Sequence, residues 1–235
     1  MEVHGAALWA FFVEGKTDAE EIVRTDAGRA TPVPVRHFFS RPQGFLALEN
    51  AALARCNGRV LDVGAGSGLH ALALQQRGLA VTAVDICPEA VEIMRRRGVR
   101  DVHCADILTY QGGGFDTLLM LGHGLGITET LSGLDRFLAH ARFLASSSGQ
   151  ILASSLDVRV ASDPENLAYQ DANKRAGRYI GEIRIQLEYA GRTGPYFGWL
   201  HIDSETLACH ATAHRWNCEV IAADDVGNYV ARLTR

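Results

Sequence analysis

Short apolar runs alternate with segments of helical periodicity through the middle of the chain. Arg59–Val63, Ala80–Asp85, Val102–Asp106, Phe115–Gly122 and Gln150–Leu156 read as strands. Between them, Leu69–Arg77 and Pro88–Arg97 read as helices that stop at Gly78 and Gly98. A longer helix, Glu129–Ala145, is apolar at Leu131, Leu134, Leu138, Ala141 and Leu144. Apolar strands separated by helices predict an α/β fold, a mostly parallel sheet covered on both faces. Ligands of such sheets sit at the carboxyl ends of the strands, so the residues that end each strand are the ones to interrogate.

The flanks read differently. Residues 1–58 form a largely helical lead-in. Within it, Thr17-Asp18-Ala19-Glu20 has capping-box spacing and predicts a helix from Asp18. Thr31-Pro32-Val33-Pro34 must be extended, and a second helix runs from about Pro42 to Cys56. After the fifth strand, Ser162-Asp163-Pro164-Glu165 opens a helix to about Ala176. Gly181–Ala190 and Tyr196–Ile202 pair as a hairpin, added at about 180–202 to a core that spans 59–235. A helix over Asp203–Trp216 and strands at Glu219–Ala223 and Tyr229–Leu233 complete a seven-stranded sheet.

Between the first strand and its helix lies Asp62-Val63-Gly64-Ala65-Gly66-Ser67-Gly68-Leu69. Strand, glycine turn and helix are the opening of a nucleotide-binding βαβ unit. Gly66 to Ala71 also fits the G-x-G-x-x-A form of a dinucleotide fingerprint, so the glycines alone leave the ligand open. Asp62 is unfavourable beside a pyrophosphate and suits a cationic ligand. Asp85 ends the second strand, where a carboxylate can accept both hydroxyls of a ribose. Asp106 ends the third.

Composition narrows the partners. The net charge is −4, which argues against a nucleic-acid surface. Five cysteines without a C-x-x-C pair indicate neither a disulfide framework nor a zinc site. No apolar run approaches a membrane span, and the expected location is cytoplasmic. His210 and His214 lie one helical turn apart but lack a third ligand, so no metal is expected.

The acid-x-Gly-x-Gly-x-Gly pattern over Asp62, Gly64, Gly66 and Gly68 resembles the first motif of the class I S-adenosylmethionine-dependent methyltransferases. The resemblance covers about residues 55–160 and implies their Rossmann-like three-layer fold. It implies that the methionyl end of S-adenosylmethionine lies on Asp62 and the glycines, the ribose on Asp85, and the adenine on Asp106 and the Ile107 amide. Ala65, Ile86, Leu121 and Gly122 complete the expected cofactor set. The fourth strand end carries Gly122-His123-Gly124, which in this family faces the methyl group and the acceptor. His123 is the candidate general base, with pocket shaping as its alternative role. Candidate acceptor contacts are His37, Phe39, Gly124, Arg159, Tyr196 and Trp199. The motifs that mark methylation of nucleobases, cytosine carbon or ribose are missing, which points to a small-molecule acceptor. Two other functions stay open at this point: an NAD-linked oxidoreductase, and a non-catalytic adenosine-cofactor-binding protein. The acceptor and the oligomeric state are not readable.

Overall fold

The computed structural model describes residues 1–41 and 43–235. In chain order the helices are α1 (Glu2–Phe12), α2 (Ala47–Leu53), α3 (Leu69–Gln76), α4 (Pro88–Arg97), α5 (Leu131–Leu144), α6 (Pro164–Arg175) and α7 (Ser204–Ala213). The strands are β1 (Glu20–Thr25), β2 (Ala30–Pro34), β3 (Arg59–Val63), β4 (Ala80–Asp85), β5 (Asp101–Cys104), β6 (Phe115–Met120), β7 (Ala145–Leu156), β8 (Glu182–Tyr189), β9 (Arg192–Thr193), β10 (Phe197–Leu200), β11 (Asn217–Ala223) and β12 (Asn228–Thr234). Short 3-10 turns span Val35–Phe38, Gly124–Thr128 and Val158–Val160.

The main sheet has seven strands in the order β11-β12-β7-β6-β3-β4-β5. Only β12 runs against its neighbours. Apolar side chains leave both faces of this sheet. Leu118, Met120, Ile151 and Ala153 pack on Leu134, Phe137 and Leu138 of α5. Val60, Leu119 and Leu152 point the other way, towards Leu74 of α3 and Met94 of α4. The helices begin and end on local chemistry. Asp163 and Asp203 accept from amides of the first turns of α6 and α7. Pro88 opens α4, and Gly98 closes it at φ 92°.

The lead-in departs from expectation. The helix foreseen from Asp18 is strand β1, paired with β2 on one side and β8 on the other. Ile22 and Val23 favour a strand, and two hydrogen-bonded neighbours outweigh a capping signal that is worth about 1 kcal/mol. The helix foreseen from Pro42 forms over Ala47–Leu53, and its expected start lies outside the described residues. The hairpin expected near 180–202 is present as β8 and β10, but it is half of a larger sheet, β10-β8-β1-β2, with β9 on β8. Boundaries moved elsewhere too. Strand β5 stops at Cys104, two residues before Asp106, and β7 starts at Ala145.

Candidate cofactor and acceptor site

The turn after β3 holds Gly64, Gly66 and Gly68 at φ of 66°, 56° and 80°, backbone that disfavours any side chain. The three differ in surroundings. A Cβ on Gly64 or Gly66 would meet nothing within 4 Å. On Gly68 it would lie 2.8 Å from Val99 Cγ2 and 2.9 Å from Met94 Cγ. The first two glycines therefore border open space, and the third seats α3 close to α4. Asp85 fastens the turn to the end of β4. Its Oδ2 accepts from Gly66 N at 2.8 Å and its Oδ1 from Cys87 N at 2.8 Å. Ala65 is buried, and its amide donates to Val84 O at 3.2 Å.

Asp62 is 2% exposed, and its Oδ2 has no hydrogen-bond partner. Burial pushes its carboxyl up to about 6, against the pull of nearby His70 and the Ala71 amide. A second buried acid stands close by. Glu49 on α2 accepts from His70 Nε2 at 3.0 Å, Arg41 Nη2 at 2.8 Å and Leu46 N at 2.9 Å. Burial alone would raise its pKa, yet the bonds from His70 and Arg41 win and hold it at about 2. Glu49 was not foreseen. The one signal in the sequence was that it is the single acid between Pro42 and Cys56.

Along the other strand ends, Asp106 is exposed, and its Oδ1 accepts from Leu108 N at 2.9 Å. Ala105 N donates to Asp85 O at 3.0 Å, which ties the end of β5 to that of β4. Ile86 is exposed, whereas Ile107 and Leu121 are buried. Gly122 has φ 66° and open space beside it. His123 is itself left-handed, at φ 58° and ψ 37°. Its amide donates to Ser154 Oγ at 2.9 Å, and its Nε2 lies 2.8 Å from Asn228 Oδ1. His201 stands edge-on to it, ring centroids 5.3 Å apart. Sequence reasoning passed over His201. Its Nδ1 is buried without a partner, and burial plus the neighbouring His123 depress its pKa to about 3, so the ring is neutral.

The second sheet spans the site. Residues paired across strands share a face, so Val23 and Thr25 lie with Leu187 and Ile185, and Phe197 and Trp199 lie with Ile185 and Ile183. At one end of this face, Glu21 is buried and meets His4 Nδ1 of α1 at 2.9 Å. At the other, the Trp199 ring covers Gly126, where a Cβ would lie 2.0 Å from Trp199 Cε2. Helix α1 packs on α4, which follows β4, and Gly126 follows β6. In the main sheet β3 lies between β6 and β4. The face therefore crosses above the glycine turn. Ile185 and Leu187 are buried there but belong to none of the hydrophobic core clusters.

The remaining candidates are placed as follows. Phe39 was expected against a pocket. Its ring instead stacks on Phe11 at 4.7 Å and lies under the Arg97 guanidinium. The backbone beside it reaches the glycine turn instead, since Phe38 O accepts from Ser67 Oγ. His37 is exposed, and its carbonyl accepts from Arg41. Arg159 is committed to Asp157 at 2.8 Å, Glu205 at 2.9 Å and Asp203 at 3.4 Å, which ties the end of β7 to α7. A Cβ on Gly124 would meet Met120 Cβ at 2.8 Å, so this glycine serves packing. Tyr196 is exposed and stacks with Arg184. His210 and His214 share Asp135 Oδ1, at 2.7 and 3.0 Å, and no metal-binding cluster occurs among the described residues. No helix among them is long and apolar enough to cross a membrane.

Comparison with known proteins adds four findings. The family described as "Methyltransferase domain" matches residues 60–149. A solved S-adenosylmethionine-dependent methyltransferase from Bacteroides fragilis, in complex with S-adenosyl-L-homocysteine, is 36% identical with a TM-score of 0.86, over 99% of this chain and 94% of that one. Ubiquinone biosynthesis O-methyltransferase of Xanthomonas oryzae is 35% identical over 77 residues, which is 29% of this chain and 32% of that protein. The chain thus matches about a third of the length of such curated relatives. A Methanosarcina mazei methyltransferase structure, 16% identical with a TM-score of 0.60, shares the fold.

Proposed function

The chain belongs to the S-adenosylmethionine-dependent methyltransferases, and from that membership we propose that it methylates a small molecule at a hydroxyl or amine, with His123 as the base. The observation that carries the cofactor reading is Asp62 Oδ2, a buried oxygen without a partner beside a glycine turn open to a ligand. A buried, ionised carboxylate calls for a cation. The ammonium of a methionyl group is such a cation, and a pyrophosphate is not. The residues fit S-adenosylmethionine. Gly64 and Gly66 leave room for a close approach to the backbone. Asp85 keeps a second lone pair on each oxygen for ribose hydroxyls after accepting from Gly66 and Cys87. Asp106 Oδ2 is available to the adenine amine.

When bound, the cofactor supplies an electrophilic methyl on a sulfonium, a good leaving group, so this chain has mainly to align the acceptor and remove its proton. The inner face of the β10-β8-β1-β2 sheet excludes water above the turn with Val23, Ile185 and Leu187. His123 follows β6 and stands beside a neutral His201, where a hydroxyl or amine can lose a proton to an imidazole. A hydroxyl is the first choice, because the curated relatives are O-methyltransferases by name. An acceptor bounded by these side chains is a small, partly apolar molecule rather than a nucleic acid.

The reading is tested in two steps. S-adenosylhomocysteine should raise the melting temperature and NADH should not; the reverse would return the chain to the oxidoreductases. Labelled S-adenosylmethionine offered with a panel of small phenols, alcohols and amines should label at least one class. His123→Ala should then cut turnover while cofactor affinity stays within about twofold. Binding without transfer to any class would favour a non-catalytic role.

A further inference from the structure

The left-handed His123 is held from a distant part of the chain. Its Nε2 lies 2.8 Å from Asn228 Oδ1, at the start of β12. An amide side chain could present either its oxygen or its nitrogen to the ring. Here the choice is made by a third residue. Asn228 Nδ2 lies 2.8 Å from Asp224 Oδ2, and an ionised carboxylate can only accept. The NH2 group must therefore face Asp224, and the oxygen must face His123. Asp224 is fixed in turn, because its Oδ1 accepts from Asn228 N at 2.8 Å and Val226 N at 3.1 Å. The bond from the Asn228 side chain, with these amides, holds its carboxyl below the ordinary range, so it stays ionised near neutral pH. Since Asn228 Oδ1 can only accept, His123 Nε2 must carry the proton.

We propose that Asn228, oriented by Asp224, is a positioning residue that locks His123 in its Nε2-protonated tautomer and leaves Nδ1 as the proton-accepting nitrogen. This inference rests on the reading of His123 as the base. As the acceptor heteroatom bonds to the methyl carbon, the carbon–sulfur pair stays on sulfur and the acceptor proton moves to Nδ1. The ring becomes an imidazolium whose Nε2–H still donates to Asn228, with the Asp224 carboxylate beyond the amide to stabilise the charge. The neighbouring His201 is kept neutral by burial, so it adds no competing positive charge. A chain of carboxylate, amide and imidazole thus does here what a carboxylate bonded directly to the ring does elsewhere.

Nitrogen-15 NMR of the histidine rings in the full chain with S-adenosylhomocysteine tests this, using His123→Gln to assign the signal. The wild type should show one tautomer at His123, protonated at Nε2, with a slowly exchanging ring proton. Asn228→Ala should mix the tautomers and speed exchange of that proton by about tenfold, the loss of one hydrogen bond of about 1.4 kcal/mol. Asp224→Ala removes the acceptor of the NH2 group, lets the amide turn, and should weaken the preference for the Nε2-protonated ring. An Nδ1-protonated ring in the wild type would overturn the proposal even if every variant misfolded. So would an Asn228→Ala protein that melts lower but keeps its tautomer, since that marks a purely structural residue. The base reading fails separately, on full methyl transfer by His123→Ala.

Discussion

The glycine turn after β3 and the sheet that crosses above it hold their residues in different ways. The turn is local: acid, glycines and helix start lie within ten residues, its partner Asp85 ends the adjacent strand β4, and Asp106 follows β5. The sheet above is assembled from opposite ends of the sequence, β1 and β2 pairing with β8 and β10. The turn relies on backbone geometry that only glycine adopts at low cost. The sheet relies on apolar side chains and on buried polar pairs such as Glu21 with His4. Under the proposed function the first region serves the cofactor and the second the acceptor.

Substitutions can separate the two regions. The largest effect is expected at Gly68→Val, which adds a side chain at φ 80° against Val99 and Met94. Strain and overpacking together should cost about 3 kcal/mol of stability, read as a fall in melting temperature. A fall no larger than for Gly64→Val, which meets no neighbour, would show that α3 does not need this close approach. Next comes Asp85→Ala, which removes the acceptor of two backbone amides and, under the proposed function, of the ribose. Affinity for S-adenosylhomocysteine by calorimetry should drop by about 1.4–3 kcal/mol, tenfold or more. Unchanged affinity would detach Asp85 from the cofactor.

In the second region the expected changes are smaller and of another kind. Leu187→Ala and Trp199→Ala should leave S-adenosylhomocysteine affinity within about twofold. They should raise the acceptor KM several-fold, for whichever nucleophile the labelling panel returns. Equal losses in cofactor and acceptor binding would mean that the two regions act as one.

The same contrast explains what could be read in advance. The β3 turn, the acids at β3 and β4, and the helices α3 and α4 depend on neighbours in sequence, and the structure has them within a residue or so. The fold class followed from that alternation alone. Strand β1 was mistaken for a helix because a capping signal is local, whereas one of its two pairing partners, β8, lies about 160 residues away. Glu49, His201 and the Asp224–Asn228 pair carry no motif. Each matters because tertiary packing buries it, or brings it to a strand end from another part of the chain. Arg159 and Phe39 looked available by position, but their surroundings supply carboxylates and aromatic rings that occupy them.

The smallest effect is the sharpest test of the first region, because it depends on a single oxygen. Burial raises the Asp62 carboxyl to about 6, above its unfolded value near 4. The folded chain without ligand therefore binds more protons between pH 4 and 6 than the unfolded chain. This group's contribution to stability improves as the pH falls through 6 and is at its worst above it, where ionisation costs up to about 3 kcal/mol. A ligand ammonium reverses the preference, since it attracts only the ionised form. Affinity for S-adenosylhomocysteine should thus rise about fourfold from pH 5.5 to 7.5, with proton release on binding below pH 6. Asp62→Asn should flatten this rise, weaken binding at pH 7.5 and raise the melting temperature of the unliganded protein at neutral pH, because an amide fills the same space without a buried charge. A variant that keeps the wild-type pH profile would assign the titration to another group and leave the unpartnered oxygen without a role in holding the ligand.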